Sequence, residues 1–287
     1  MMRYITVDTK MIALLGMPLR QSASYLLQNR VYEQAGLDYF YLPIEVETPQ
    51  ALSDVLTGIR AMNFAGFAIT KPYKETVLQY LDAQDDSVAL MGACNTVLIQ
   101  DGKFIGYNTD GIGCIRSLEQ EGRLDIANKT FFSFGAGGAA RAVCFELARR
   151  GAGQLIIASP FGMCDRLSEE INRHFPSKAI AVDIGETERM YGYIRQADAL
   201  LNLSGIGMAP HEDETPMERP CFQPHQLCYD AVYQPEKTRF LREAEAVGCQ
   251  TLNGLGMVIY QGLEQIKLWT GVSAPAQMMF DAFRANL

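Results

Sequence analysis

The chain has few of the residues that bind metals or cross-link a fold. It contains three histidines, and its seven cysteines occur singly, without a CxxC pair. An odd number of scattered cysteines argues against a disulfide framework or a zinc site and predicts reduced thiols. The histidines lie in polar stretches of the second half, where we expect solvated side chains: His174, His211 and His225. We therefore expect no metal, and chemistry that uses lysine, carboxylate, hydroxyl or amide groups.

The chain also lacks excess positive charge and long apolar runs. Its net charge of −8 argues against a nucleic acid or an anionic membrane as partner. No stretch approaches the ~20 apolar residues that a membrane helix needs. The first residues, MMRYITVDTK, show no apolar core of a signal peptide. Together these features predict a cytoplasmic protein, and they leave open whether it is a monomer or a homodimer.

What the chain does contain is an alternation of helices and strands along its 287 residues, which is typical of the α/β class. The first half predicts strands at 11–15, 39–46 and 66–70, helices at 24–35 and 50–62, a helical turn at 74–81, and strands at 96–100 and 103–107. The second half predicts a helix at 111–120, strands at 154–159, 179–182, 199–203 and 228–232, a loop at 208–224, and helices at 256–269 and 274–286. The length is sufficient for two domains.

Residues 130–142, TFFSFGAGGAARA, have the pattern of a phosphate-binding turn. An apolar run stops at a glycine turn, and an alanine-rich helix follows. Glycines allow the backbone to approach a pyrophosphate, and the N–H groups at the helix start point towards its charge. About 130 residues precede this turn, enough for a separate substrate domain. We expect the turn to bind a dinucleotide through Gly135, Ala136, Gly137, Gly138 and Ala139.

Polar residues at predicted strand ends are the candidates for chemistry. Lys74 follows the strand at 66–70, and Asp110 follows the strand at 103–107. A solvated charge at Lys74 and a helix cap at Asp110 are the alternative interpretations. Asn95 and Gln261 are amides inside apolar runs, which require partners from the fold or from a ligand. Ser22 and Ser24 precede a helix, where they could cap it or hold a carboxylate.

At this level of detail the chain resembles the shikimate dehydrogenase family, and more closely its quinate/shikimate dehydrogenase branch. The resemblance rests on GMPLRQSASYLLQN, GFAITKPYK, GACNTV, GYNTDGIG, GAGGAARA and the block from YDAVYQPEK to MVIYQG. It implies a substrate-binding catalytic domain at 1–108 and 254–287 and a Rossmann-type NAD(P)-binding domain at 109–253. It further implies hydride transfer between NAD(P) and shikimate or quinate, and thus a small cyclic hydroxy acid as ligand.

The same resemblance assigns roles to residues. Lys74 would be the catalytic lysine and Asp110 its acid/base partner. Substrate contacts would come from Ser22, Ser24, Tyr41, Thr70, Asn95 and Gln261. The cofactor would be bound by the glycine turn together with Ser159, Ser204, Tyr233, Gly254 and Met257.

Several positions depart from the family pattern. Gln21 replaces a histidine, Tyr25 a proline and Ala68 an asparagine, while Ser204 and Gly205 replace Thr-Pro. Three alternatives therefore stay open. One is a paralogue that acts on a related cyclic acid, and another is a non-catalytic ligand-binding paralogue. The third, a folate-type methylene dehydrogenase, has a similar domain plan but leaves the paired serines and NTDG unexplained.

The end of the strand at 154–159 bears on the choice of cofactor. In such folds, an acid about 20 residues after the glycine turn holds the ribose 2′-OH, whereas an arginine attracts a 2′-phosphate. Here the strand ends in Ser159-Pro160-Phe161-Gly162, which offers neither group. Arg166 is the nearest cation, and Asp165 beside it opposes a phosphate. The sequence therefore predicts NAD or NADP, with NAD used at least as well.

Overall fold

The computed structural model describes residues 5–20, 22–160, 162–217 and 221–285. Within it the chain divides into two compact units. Unit 1 comprises Met1–Thr109 and Gln261–Leu287, and unit 2 comprises Asp110–Tyr260. The second division falls at Tyr260, whereas the sequence placed it at 254. The assignment of substrate and dinucleotide to the predicted ranges stays a prediction.

Unit 1 is built on a mixed sheet of six strands in the order β2-β1-β3-β5-β6-β4 among the described residues. β1 pairs in parallel with β2 and β3, while β3–β5 and β5–β6 are antiparallel. The strands are β1 (Lys10–Gly16), β2 (Tyr39–Glu45), β3 (Phe64–Ile69), β4 (Ala83–Gln84), β5 (Thr96–Gln100) and β6 (Lys103–Tyr107). The helices are α1 (Ser24–Gln34), α2 (Pro49–Ala61) and α3 (Asp86–Met91), with the C-terminal part of α9 (Leu255–Thr270) and α10 (Ala276–Arg284).

The core of unit 1 forms because its central strands are apolar on both faces. β1 and β3 each end in four or more buried residues in succession, as expected for strands covered on both sides. Phe67 of β3 and Phe104 of β6 pack edge to face at 5.2 Å. Asp101 and Gly102 both have positive φ, so the tight turn predicted between β5 and β6 is confirmed.

Unit 2 is a parallel sheet in the order β12-β11-β10-β7-β8-β9. Its strands are β7 (Thr130–Phe134), β8 (Gln154–Ser159), β9 (Ala179–Asp183), β10 (Ala199–Asn202), β11 (Leu227–Asp230) and β12 (Gln250–Leu252). Its helices are α4 (Asp110–Gln120), α5 (Gly138–Arg149), α6 (Met163–His174), α7 (Thr187–Gln196), α8 (Arg239–Val247) and the first part of α9. The strand order reverses at β7, so the crevice for a ligand lies at the carboxyl end of that strand.

The structure departs from the predicted elements mainly in short segments. The predicted helical turn at 74–81 is a 3-10 helix at Thr76–Tyr80, and β4 and α3 were not predicted. Asp85 caps α3 through a bond from Ser87 N, and Gly92 ends it in the left-handed region, so local capping sustains a helix of six residues. Some residues named in the predictions lie outside the described residues: Gln21, Phe161, 218–220 of the predicted loop, and Asn286 of the last predicted helix. The other described residues of 208–224 contain no helix or strand.

Candidate active site

The paired serines lie at the start of α1. Its N-cap is Ala23, whose side chain offers no cap, and Ser24 is the first helical residue. Ser22 Oγ donates to Ser24 Oγ over 3.2 Å and accepts from Ser24 N over 3.4 Å. The hydroxyls therefore bond to each other beside the helix N-terminus and do not cap it as a conventional N-cap side chain would. This arrangement is suited to an anion.

Tyr41, on β2, is a buried phenol without a hydrogen-bond partner for its hydroxyl. Its ring packs against Trp269 of α9 at 5.9 Å. Burial raises the pKa of this phenol, so the group stays a neutral donor. Asn29 of α1 holds the Tyr41 backbone through a bond to the carbonyl and one from the N–H, both 2.8 Å. A buried hydroxyl without a partner is unusual in a folded protein, so the Tyr41 phenol retains the capacity to form a hydrogen bond.

Thr70 and Lys74 follow the carboxyl end of β3. Thr70 N donates to Leu15 O over 2.9 Å, which extends the pairing with β1 by one residue. A Cβ at Gly16 would collide with the Thr70 methyl group and would lie 2.8 Å from Lys71 O, so a glycine is needed there for the two segments to approach. Lys74 is half-buried, and its carbonyl accepts from Cys94 N over 2.8 Å. The backbone therefore joins the lysine loop to the segment that carries Asn95.

Asn95 and Gln261 meet at Thr109. Asn95 Nδ2 donates to Thr109 Oγ1 over 3.0 Å, and Thr109 N donates to Asn95 Oδ1 over 2.9 Å. Thr109 Oγ1 donates to Gln261 Oε1 over 3.3 Å. The structure thus brings two predicted substrate residues together through a threonine that sequence reasoning did not single out. Its position within the NTDG motif was the available signal.

Two further buried polar residues belong to this region, and one of them, Gln265, was missed from the sequence. Thr96, the first residue of β5, donates to Asn95 Oδ1 over 2.7 Å and accepts from Gln265 Nε2 over 2.9 Å. Gln265 lies four positions after Gln261, hence on the same face of α9. That spacing within the run QGLEQ was a usable sequence signal.

Asp110 is the first residue of α4 and is half-buried. A carboxylate in the first turn interacts favourably with the helix dipole. Asp110 therefore stabilises the start of α4, which agrees with the alternative interpretation as a helix-capping residue. Gly111, which follows, is essential for packing, because a Cβ there would lie 2.5 Å from Ala142 O of α5.

The glycine turn of unit 2 leads from β7 into α5. Gly135 has φ +104° and approaches Ser204 so closely that a Cβ would lie 2.9 Å from its Cα. Gly137 is the N-cap of α5 and has no side chain to cap it, and a Cβ at Gly137 or Gly138 would meet no atom within 4 Å. Open space at an uncapped helix N-terminus fits a phosphate group. Ala136 and Ala139 lie in the same turn, so these residues suit the pyrophosphate of a dinucleotide.

A buried carboxylate organises the loops at the end of β10 and β11. Asp230 accepts from Thr238 Oγ1 over 2.6 Å, from Val232 N over 2.9 Å and from Asn202 Nδ2 over 3.0 Å. Burial raises its pKa, and these three hydrogen bonds oppose the shift. Asn202 in turn accepts from Ser204 Oγ over 2.6 Å. Ser204 is therefore held in a fixed loop, and its own side chain is exposed.

The remaining predicted cofactor residues lie around the start of α9. A Cβ at Gly254 would overlap Ala231 O, so this position requires glycine for packing. Met257 is half-buried in the first turns of α9, and Tyr233 is half-buried after β11. Burial raises the pKa of Tyr233, which keeps this phenol neutral.

At the end of β8, the Ser159 side chain is buried, and its Oγ lies 3.5 Å from Pro160 O. The register of β8 and β9 places Asp183 directly beside it. Asp165 and Arg166 are exposed in the first turn of α6. Arg141 of α5 pairs with Glu170 of α6. The sequence did not predict that Asp183 of the neighbouring strand would place a carboxylate beside Ser159.

Among the described residues, no group of three or more histidine, cysteine, aspartate or glutamate side chains could hold a metal ion. His174, His211 and His225 are exposed, as predicted. No helix in the described part of the chain is long and apolar enough to cross a membrane.

The strand order of unit 2, its glycine turn and the polar cluster of unit 1 place the chain in a class of α/β oxidoreductases. Enzymes of this class combine a substrate domain with a Rossmann-type NAD(P) domain. Residues 14–97 match the family model of the shikimate dehydrogenase substrate binding domain, and residues 254–279 match that of the shikimate 5′-dehydrogenase C-terminal domain. The chain belongs to the shikimate dehydrogenase family, and the family and fold class predicted from the sequence are confirmed.

Individual relatives support this assignment. The chain is 39% identical to a shikimate dehydrogenase (NADP(+)) of Moorella thermoacetica, over 96% of this chain and 92% of the relative. It is similar to the shikimate 5-dehydrogenase of Listeria monocytogenes, solved in complex with shikimate and NAD, at a TM-score of 0.94, 36% identity and 99% coverage of both chains. It is also similar to the quinate dehydrogenase of Corynebacterium glutamicum in complex with NAD, at a TM-score of 0.88 and 29% identity, over 96% of this chain and 99% of that one.

Proposed function

We propose that the protein is an NAD(P)-dependent oxidoreductase that interconverts shikimate, or quinate, and its 3-dehydro form. The observation that carries this proposal is the cluster of Asn95, Thr109 and Gln261, whose oriented amides suit the hydroxyls of a polyhydroxylated ring. At the start of α1, Ser22 and Ser24 would hold the carboxylate, together with the unpartnered phenol of Tyr41. Thr70 would add a hydroxyl contact.

In this mechanism, oxidation of the ring alcohol removes a hydride from its carbon and a proton from its oxygen. The nicotinamide, when bound, supplies the hydride acceptor. Lys74 would accept or relay the proton or stabilise the developing alkoxide, and Asp110 would orient the lysine and set its charge. The glycine turn at 135–139 would hold the pyrophosphate, with Ser159, Ser204, Tyr233, Gly254 and Met257 as the further cofactor contacts.

Side-by-side turnover with shikimate and quinate, each with NAD and NADP, tests the proposal. We expect turnover of at least one acid with at least one dinucleotide. Absence of turnover in all four combinations, with the dinucleotide bound, would contradict it. Turnover of a different cyclic hydroxy acid alone would instead support the related-substrate alternative, which the departures at Ala68 and Gly205 favour.

We further infer that NAD is used at least as well as NADP. Asp183 lies beside Ser159 at the end of β8, where a carboxylate would repel a 2′-phosphate. Asp165 adds a second acid nearby, and Arg141 is already paired with Glu170. Asp183→Ser should raise the NADP/NAD ratio of kcat/KM by about three- to tenfold, as expected for removing a nearby exposed charge.

Asp125→Ser, in the segment between α4 and β7, serves as the matched control for Asp183→Ser and should leave the ratio unchanged. A wild-type preference for NADP above about 100-fold would contradict the inference, since that corresponds to about 2.7 kcal/mol.

The cytoplasm is the proposed compartment. All seven cysteines are within the described residues, and none forms a disulfide. Reduced thiols are the usual state in the cytosol. Secretion of the native protein with its thiols oxidised would contradict this proposal.

Light scattering of the purified protein distinguishes the two proposed states of assembly, a monomer and a homodimer.

A further inference from the structure

A chain of buried hydrogen bonds connects α1 with the polar cluster of unit 1. Tyr32 OH donates to Gln28 Oε1 over 3.0 Å, and Gln28 Nε2 donates to Gln265 Oε1 over 2.7 Å. Gln265 Nε2 then donates to Thr96 Oγ1 over 2.9 Å, and Thr96 Oγ1 donates to Asn95 Oδ1 over 2.7 Å. The side chains of Gln28, Gln265 and Thr96 thus each accept a hydrogen bond from the preceding residue of this series and donate one to the next.

One backbone N–H group determines which atoms donate and which accept along this series of hydrogen bonds. The N–H of Thr109 can only donate, and it donates to Asn95 Oδ1 over 2.9 Å. The amide oxygen of Asn95 is thereby identified, and its Nδ2 must face Thr109 Oγ1. Thr109 Oγ1 accepts this bond, and two oxygens lie 3.3 Å from it as acceptors for its proton, Gln261 Oε1 and Asn95 Oδ1.

The same reasoning applies in the other direction. Because Asn95 Oδ1 can only accept, the hydroxyl proton of Thr96 must point at it, and Thr96 Oγ1 must accept from Gln265. Gln265 therefore turns its NH2 to Thr96 and its oxygen to Gln28. The orientation of three amides follows from donor and acceptor chemistry alone, without a choice between amide oxygen and nitrogen.

The two glutamines are costly to bury if they serve packing only. Gln28 is 1% exposed and Gln265 is 3% exposed, and a thioether or an alkyl chain would fill the same space without a polar atom to satisfy. Fully satisfied buried networks specify a single arrangement of their members. The arrangement specified here is that of Thr96 and Asn95.

We propose that Gln265, held by Gln28, is a positioning residue that fixes the Thr96 hydroxyl and the Asn95 amide for binding of the ring hydroxyls. The proposal rests on the proposed function, since it names the side chains that prepare that site. It assigns a role to α1 beyond its N-terminus: residues on its buried face orient the amide that contacts the ring.

Isosteric and charged substitutions of Gln265 test this role. Gln265→Met should raise the KM for the ring acid about three- to tenfold and change kcat less than about twofold, because one orienting hydrogen bond is lost from a binding group. Gln265→Glu should raise the KM further, because its carboxylate would draw the Thr96 proton away from Asn95. The KM of the dinucleotide should stay constant in both variants.

Gln226→Met is the matched control. Gln226 is equally buried, but in unit 2, and its Nε2 donates to the carbonyls of Ile194 and Ala197. We expect this variant to lower the melting temperature without a change in KM. An equal rise in KM in the control, or a KM within twofold of wild type in both Gln265 variants, would overturn the proposal. Gln28→Met and Tyr32→Phe carry the same test if the Gln265 variants do not fold.

A second readout does not depend on turnover. In protein labelled with 15N-asparagine, the side-chain amide signals of Asn95 are identified by their loss in Asn95→Ala. They should shift in Gln28→Met and Gln265→Met but not in Gln226→Met. Unchanged signals in both variants would overturn the proposal, even if the wild type proves inactive on shikimate and quinate. A wild type that fails on both acids while the signals shift would remove the proposed function and leave the orienting network established.

Discussion

At the scale of single residues, the proposed site consists of side chains whose hydrogen-bond partners are fixed by the fold itself. The Asn95 amide has its oxygen assigned by the Thr109 N–H, and the two serines at the start of α1 are bonded to each other. Prearranged groups of this kind reduce the entropy lost on binding. The consequences of removing them are therefore expected in kinetic constants more than in stability.

Lys74→Ala should lower kcat by about 10²–10⁴, because it removes the group assigned to proton transfer. Dinucleotide affinity and melting temperature should change little, since Lys74 is half-buried in a loop of unit 1. Steady-state kinetics and dinucleotide fluorescence titration measure both quantities. Lys71→Ala, three residues earlier and exposed, is the control. Retention of more than about a tenth of the wild-type kcat would show that the lysine is not the proton-transfer group.

Ser22→Ala combined with Ser24→Ala should raise the KM for the carboxylic acid and leave kcat nearly unchanged. Each hydrogen bond to a charged group contributes about 1.5–3 kcal/mol, so the combined effect is at least tenfold. The helix itself should persist, because neither hydroxyl caps α1 as an N-cap side chain. A normal KM in the double variant, measured with saturating dinucleotide, would mean that the acid group binds elsewhere.

At the scale of elements, several segments approach so closely that only glycine fits. Gly254 is the clearest case: it lies between β12 and α9, with Ala231 O where its Cβ would be. This contact fixes where α9 begins, and α9 carries Met257, Gln261 and Gln265. The start of α9 within unit 2 thus depends on one backbone approach.

Gly254→Ala should lower the free energy of unfolding by about 1–3 kcal/mol, because the backbone must shift to relieve the overlap. Gly192→Ala in α7 is the matched control, since a Cβ at Gly192 would meet no atom within 4 Å. That substitution should be neutral or stabilising by up to about 1 kcal/mol, the helix-propensity difference between glycine and alanine. Urea denaturation measures both changes. Equal stability of the two variants would refute the packing argument.

At the scale of the whole molecule, the cysteines differ in burial: six are buried and one is partly exposed. Cys114 and Cys144 are fully buried, and burial raises the pKa of each thiol to about 12. At neutral pH both are therefore protonated and shielded. Cys221 is only partly buried. The thiolate is the reactive form, so reactivity should follow exposure and thiolate fraction.

Iodoacetamide at pH 8 should therefore modify Cys221 before Cys114 and Cys144 in the native protein, and it should leave Cys114 and Cys144 unmodified until unfolding. Peptide mass spectrometry after timed quenching gives the order. In denaturant all three should react at similar rates, which is the control for intrinsic reactivity. Early modification of Cys114 or Cys144 under native conditions would indicate local opening of α4 or α5, against which the burial argues.

The sequence by itself determined the structural features that depend on interactions between neighbouring residues. The apolar run before a glycine turn specified β7 and the start of α5, and Asp101-Gly102 specified the turn between β5 and β6, because positive φ is tolerated there. The ordered motifs specified the family. The boundaries of short elements such as α3 were not predictable in this way, because a six-residue helix depends on its caps and on packing.

The tertiary structure alone decided which distant residues meet. Gln28 and Gln265 are separated by 237 positions, and nothing in either segment reveals that their amides bond. Asp183 lies beside Ser159 through the register of β8 and β9, and Ala231 O occupies the space that makes Gly254 necessary. Local propensity acts over a few residues, whereas strand register and helix packing arise from burial across the whole unit. For that reason the sequence could only propose the members of the site, and the fold showed which buried partners orient those side chains.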